Sequence, residues 1–155
     1  MTKNLETGMR PRTIRFENAY FSEGFSIVGP KELRGKLGDR FDFALLNDRF
    51  DQKTFEKAER KMFETAIDGV VSKSKLLPID VDAILGGDLL NQIISASYSA
   101  RKSPASFLGL YNACGTYAES LLIGAAMVNK YYKNVVCLSG SHFSSAERQY
   151  RYPLE

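Results

Sequence analysis

The residues best placed for chemistry are Asn112-Ala113-Cys114-Gly115-Thr116, which join a short apolar run, Phe107 to Tyr111, to the most hydrophobic helix-like segment, Tyr117 to Val128. A thiol on a sharp turn between a buried strand and a helix is held rigidly on both sides, close to the helix's unpaired N–H groups. Those groups favour negative charge, so Cys114 would ionise more readily than a free cysteine, or an anionic ligand could be held in its place. Two readings stand side by side, because a lone cysteine in an apolar setting is most often a small buried hydrophobe.

Placing that turn is the task of the surrounding elements. From Lys53 to Ser74, Phe55, Ala58, Met62, Phe63, Ala66, Ile67, Val70 and Val71 recur at three- and four-residue steps, which predicts an amphipathic helix with Asp51 as its N-cap. A strand from Val81 to Leu85 ends at Gly86-Gly87-Asp88, and a Ser- and Ala-rich helix follows from Leu89 or Asn91 to about Arg101. The strand Phe107 to Tyr111, the helix after Cys114 and the strand Asn134 to Leu138 continue the series, which closes in Ser139-Gly140-Ser141-His142. Such alternation predicts an α/β fold, a parallel-rich sheet covered by helices. Ligands of open parallel sheets gather at the carboxyl ends of the strands. Three ends here carry polar residues: Gly87 and Asp88 with Asn91 and Gln92, Asn112 with Cys114, and Ser139 to His142.

The N-terminal third is less regular. Thr13 to Val28 reads as one or two strands, with a hairpin around Ser22-Glu23-Gly24 closed by Gly29-Pro30. Lys31 to Asp51, dense in charge and containing Asp42, reads as a long loop of the kind that forms lids and binding loops.

Composition narrows the classes of function. The 155 residues suit one core, and Lys+Arg at 21 against Asp+Glu at 18 leave a small, dispersed excess that does not imply nucleic acid. Cys114 and Cys137 fall in different elements with no disulfide framework, which suits a reducing compartment. Residues 1–12 are polar and basic and read as a flexible N-terminus, and no apolar run reaches the length of a membrane span. There is no G-x-G-x-x-G after a strand, no G-x-x-x-x-G-K-[ST] and no G-x-S-x-G, so dinucleotide, P-loop and serine-hydrolase readings lack their backbone devices. Cys114, Cys137 and His142 are too scattered for a metal site, and no metal or cofactor is expected.

The strand, the Asn112 to Thr116 turn and the apolar helix resemble the nucleophile region of the thiolase superfamily. Gly29-Pro30-Lys31-Glu32, Ala58-Glu59-Arg60-Lys61, Gly86 to Gln92 and Ser145-Ala146-Glu147-Arg148-Gln149-Tyr150-Arg151-Tyr152-Pro153 resemble, more closely, the stage V sporulation protein AD family within it. The resemblance implies a thiolase-like fold over residues 13–155, with helices on both faces of the sheet, that forms one half of a duplicated fold. The second half would be absent through fragmentation or supplied by another chain. It further implies a sporulation protein that binds dipicolinic acid, a planar dicarboxylate, for uptake into the developing spore. It would lie peripherally at the cytoplasmic face of the forespore or spore inner membrane, beside membrane proteins of the same operon.

On that resemblance the pocket would be lined by Cys114, Asn91, His142, Asp42 and Gly87. An aspartate would oppose a dianion unless it were protonated or bridged by the calcium that dipicolinate chelates. The alternative is an acyltransferase with Cys114 as nucleophile and helix N–H groups stabilising the oxyanion. Binding ranks ahead, because His142 is the only histidine and acyl transfer of the thiolase kind needs both a base and an acid. A third reading is an assembly module, a homodimer paired through the Phe107 to Tyr111 strand, whose exposed edge would otherwise invite aggregation.

Overall fold

The structure, a computed structural model, describes residues 13–151; the N-terminal segment 1–12 and the end of the Ser145 to Pro153 motif lie outside the described residues. The elements follow in the order β1 (Ile27–Val28), α1 (Pro30–Leu33), β2 (Phe43–Ala44), α2 (Phe55–Lys73), β3 (Ala83–Gly87), α3 (Ile94–Ala100), β4 (Ser106–Gly109), α4 (Thr116–Val128), β5 (Val135–Ser139) and α5 (Phe143–Arg151). The architecture is α/β, and every strand pair among the described residues is parallel. β1 pairs with β2 in a small sheet, and β3 lies between β4 and β5 in the larger one.

Alternation along β3 and β5 sets the layers. Ile84, Val136 and Leu138 face α2 and α3, where Phe63, Ile67, Val71 and Ala96 complete the core. Leu85, Val135 and Cys137 face the other way, onto α4. A Cβ at Gly124 would stand 2.7 Å from the Cys137 sulfur, so this glycine lets α4 lie close against β5. Helices therefore cover both faces of the larger sheet, as expected of an α/β half-fold with this alternation.

Several boundaries differ from the sequence reading for local reasons. Thr54 caps α2, accepting from the Lys57 N–H at 3.3 Å. Asp51 cannot serve, because Phe50 and Asp51 take left-handed backbone angles that turn the chain before the helix begins. β3 takes in Gly86 and ends at Gly87, within the Gly86-Gly87-Asp88 stretch read as its end, and neither glycine has room for a side chain, since a Cβ would stand 2.0 Å from Leu138 O or Leu110 O. No hairpin forms around Ser22 to Gly24. Its place is taken by β1 alone, paired with β2, while the Phe25 ring packs over Gly69 of α2. The segment read as a long loop holds α1, a 3-10 turn at Gly38–Arg40 and β2.

Candidate functional site

Glycine spacing determines how the β3 end is built. Ile93 packs its side chain over Gly87 and Gly109, where added methyls would stand 3.1 Å and 2.1 Å from it. That wedge holds Gln92 and Ile93 in left-handed angles and delays the start of α3 to Ile94, beyond the expected Leu89 or Asn91. The buried Asp88 carboxylate fixes the turn from below, accepting from the Leu90 N–H at 2.8 Å and the Ala96 N–H at 2.7 Å. Asn91 and Gln92 are thereby presented at the surface.

Beside Asp88 lies a buried polar corner where α2, β3, α3 and the start of α5 meet. Glu59, on the inward face of α2, is 1% exposed and its Oε2 is 2.7 Å from Ser145 Oγ. Burial pushes the Glu59 carboxyl up to about 7, and the Asp88 charge adds to the rise. Asp88 is itself raised by burial, against the bonds from Ala96 and Leu90 that lower it. His142, also buried, donates from Nε2 to the Asp48 carbonyl at 2.6 Å, since a carbonyl can only accept. Its Nδ1 then accepts from the Ser144 N–H at 3.2 Å, and its ring lies 5.2 Å from that of Phe55.

Cys114 sits in a 3-10 turn, Ala113–Gly115, immediately before α4, so the strand–turn–helix placement read from the sequence is present. The turn is tied by Gly115 N–H donating to Asn112 O at 2.8 Å and Asn112 N–H donating to Thr116 Oγ1 at 3.1 Å. The strand before it, however, is the edge of the sheet and not its centre, and Cys114 is exposed. Cys137 is the more enclosed thiol; burial raises it, and its sulfur lies 3.2 Å from the Ser120 carbonyl.

Of the other residues read as lining a pocket, Gly87, Asn91 and His142 fall, with Cys114, on the segments that leave the carboxyl edge of one sheet. Asp42 does not. Its carboxylate accepts from Ser26 N–H and Oγ at 2.8 Å each and from Lys73 Nζ at 2.9 Å, which holds it down to about 2. Lys73 ends the 19-residue α2 and Phe55, against His142, begins it, so Asp42 and His142 lie at opposite ends of a helix about 28 Å long. The former fastens the small sheet to α2.

Two cavities border these elements. One, of about 470 Å³, lies between the Leu90 to Ile94 turn and α5, with Asn91, Gln92, Glu56, Ser145, Arg148 and Gln149 in its wall. Gln149 accepts from the Asn91 N–H at 3.0 Å, and Arg148 pairs with Glu56 across it. The second, of about 320 Å³, opens at the far end of α2, between Ile67, Val71, Leu76, Val81 and the Glu64–Lys102 ion pair. Cys114 is in neither wall. Among the described residues, no three His, Cys, Asp or Glu side chains are grouped to hold a metal ion.

Three segments that carry the sequence resemblance thus converge on one corner: Glu59 of the first bonds Ser145 of the last, and Asn91 of the middle one bonds Gln149. The sequence model of stage V sporulation protein AD matches residues 10–155. The chain belongs to the stage V sporulation protein AD family. A relative, Stage V sporulation protein AD of Bacillus subtilis (strain 168), is 38% identical over 146 residues, an alignment that covers 93% of this chain. The chain spans 43% of that relative's length. In this family member, no helix among the described residues is long and apolar enough to cross a membrane.

The sequence reading missed Glu59, Ser145, Arg148 and Gln149 as site residues. Glu59, read with Glu56, Lys57 and Arg60 as facing away from the apolar stripe, lies on it instead, four residues from Phe55 and Phe63, and is buried with Phe63. The available signal was its place in the Ala58 to Lys61 motif, which the resemblance quoted without assigning it a role.

Proposed function

We propose that this chain serves sporulation by binding dipicolinic acid and supporting its uptake into the developing spore, without catalysing acyl transfer. Family membership supports the sporulation role, and the engagement of His142 carries the choice of binding over catalysis. Both of its ring nitrogens are committed to backbone groups, so Cys114 has no histidine free to act as its base. The groove at Asn91 holds groups that a dicarboxylate could engage: Arg148, by exchange of its present partner Glu56, with the Asn91 and Gln149 amides beside it. A helix end adds little by itself, about 0.3–2 kcal/mol, whereas millimolar binding requires about 4 kcal/mol.

In this reading the protein lies peripherally at the cytoplasmic face of the forespore or spore inner membrane, beside membrane proteins of the same sporulation operon. It pairs as a homodimer through the free edge of β4. Calorimetry with dipicolinate checks the proposal: binding no tighter than about millimolar is expected for this chain alone. A clear signal is expected for a version extended to the relative's length, weakened by Arg148→Ala. Absence of heat from both forms would overturn it. Mass spectrometry after incubation with short acyl-CoA thioesters tests the alternative, and stoichiometric acylation of Cys114 would make acyl transfer the better reading.

A further inference from the structure

The buried corner contains one more hydrogen-bond contact than an ionised Glu59 can satisfy. Ser145 Oγ lies 2.7 Å from Glu59 Oε2 and 2.9 Å from the His142 carbonyl oxygen. A hydroxyl carries one hydrogen and a carbonyl can only accept. With Glu59 ionised, Ser145 can serve one of the two oxygens and not both. With Glu59 protonated, its O–H donates to Ser145 Oγ and the Ser145 hydrogen passes to the His142 carbonyl, so both contacts become bonds. The second carboxyl oxygen, Oε1, is buried and makes no hydrogen bond, a position that a neutral carboxyl tolerates better than a carboxylate. The Ser95 hydroxyl and the His142 backbone N–H act on the carboxyl in the opposite sense, but burial outweighs them.

We propose that Glu59 is a proton-operated latch that fastens α5 over the strand ends: protonated, it completes the relay through Ser145, and ionised, it releases α5. Ionisation breaks the Glu59 O–H bond and passes its proton to solvent water, the electron pair staying on the carboxylate; no bond between heavy atoms changes. Because α5 carries Arg148 and Gln149, its release parts them from Asn91 and Glu56 and opens the groove. The latch is independent of what the groove binds.

Among the described residues, no cation near Glu59 is disposed to offset its ionisation. On α2 the neighbouring charges are Glu56 and Arg60, the latter turned to Glu64 at 2.7 Å. β3 ends in Asp88, whose charge opposes that of Glu59. His142, at the start of α5, commits both ring nitrogens elsewhere; Glu147 and Arg148 follow on the helix, and Arg148 is paired with Glu56. α3 presents the hydroxyls of Ser95 and Ser99 on its buried face and no charge. Burial, which raises Glu59 to about 7, places the transition near neutrality.

Two measurements test the latch. Carbon-13 titration of the Glu59 carboxyl in the unmutated protein is expected to give a midpoint near 7; a midpoint in the ordinary carboxylate range overturns the proposal without any variant. Hydrogen exchange, corrected for intrinsic rates, is expected to show α5 losing about tenfold in protection between roughly pH 5.5 and 8.5 while β3 keeps its own. In Glu59→Gln the amide donates to Ser145 as the acid does, so α5 should stay protected across that range. Protection of α5 that ignores pH, a loss shared equally by β3, or a loss that persists in Glu59→Gln overturns it.

Discussion

The turn before α4 and the corner between α2 and α5 solve opposite problems. At the first, a nucleophilic side chain, Cys114, is held by backbone bonds and left in the open, on the edge strand of the sheet. At the second, Glu59, Asp88, Ser145 and His142 are buried and tied to one another or to backbone groups. Residue type draws attention to the cysteine, but burial is what gives a group an altered chemistry, because desolvation acts only where water is excluded. The corner is therefore where substitutions and pH should register in stability, and the turn is where a substitution should cost least.

Breaking the framework of the corner should have the largest effect. Asp88→Ala leaves the Leu90 and Ala96 N–H groups without acceptors and should cost about 3 kcal/mol in denaturant unfolding, the sum of a lost cap and a charge-assisted buried bond. A loss below about 1 kcal/mol would mean that the strained Gln92–Ile93 turn holds itself.

The next effect is a slope with pH. Glu59 is raised from 4.5 to about 7 in the folded protein, so between these values the unfolded chain has released a proton that the folded one keeps. Its stabilising contribution is complete below 4.5 and is lost as the pH rises to about 7, a fall of about 3 kcal/mol at 1.36 kcal/mol per unit. Urea unfolding at a series of pH values should show this fall in the unmutated protein and a nearly flat profile over that window in Glu59→Gln. Equal slopes in the two would assign the fall to other groups.

The smallest effects belong to the turn. Cys114→Ser should change stability by less than about 0.5 kcal/mol, because the residue is exposed and packs against no core. Of the two thiols, Cys114 should be alkylated first and Cys137 much later, since Cys137 is half-buried, raised by burial and in contact with the Ser120 carbonyl. Peptide mapping that found Cys137 modified first would reverse the contrast between the two regions.

Much of the fold was legible. The step of three and four from Phe55 to Val71 gave α2, and the apolar runs at Val81, Phe107 and Asn134 gave β3, β4 and β5 to within about two residues, although β4, read as buried, is largely exposed at the sheet edge. Thr54 and Asp51 were harder to separate, since both residue types cap helices and the choice depends on backbone angles set by the preceding turn. The strand at Phe43–Ala44 was hidden, because a two-residue pairing leaves no period to read.

The sequence by itself determined the order of elements, the α/β class, the position of Cys114 at a strand-to-helix turn and, through its motifs, the family. These are properties of local periodicity and of residue identity, which the chain carries whether or not it is folded. Tertiary structure alone decided that Asp42 fastens β1 and β2 to the far end of α2, that His142 spends its ring on Asp48 and Ser144, and that Glu59 lies beneath α5 with Ser145. Those pairs are separated by between 2 and 94 positions along the chain. Their ionisation and bonding depend on what excludes water from them, which is settled only when the helices close over the sheet.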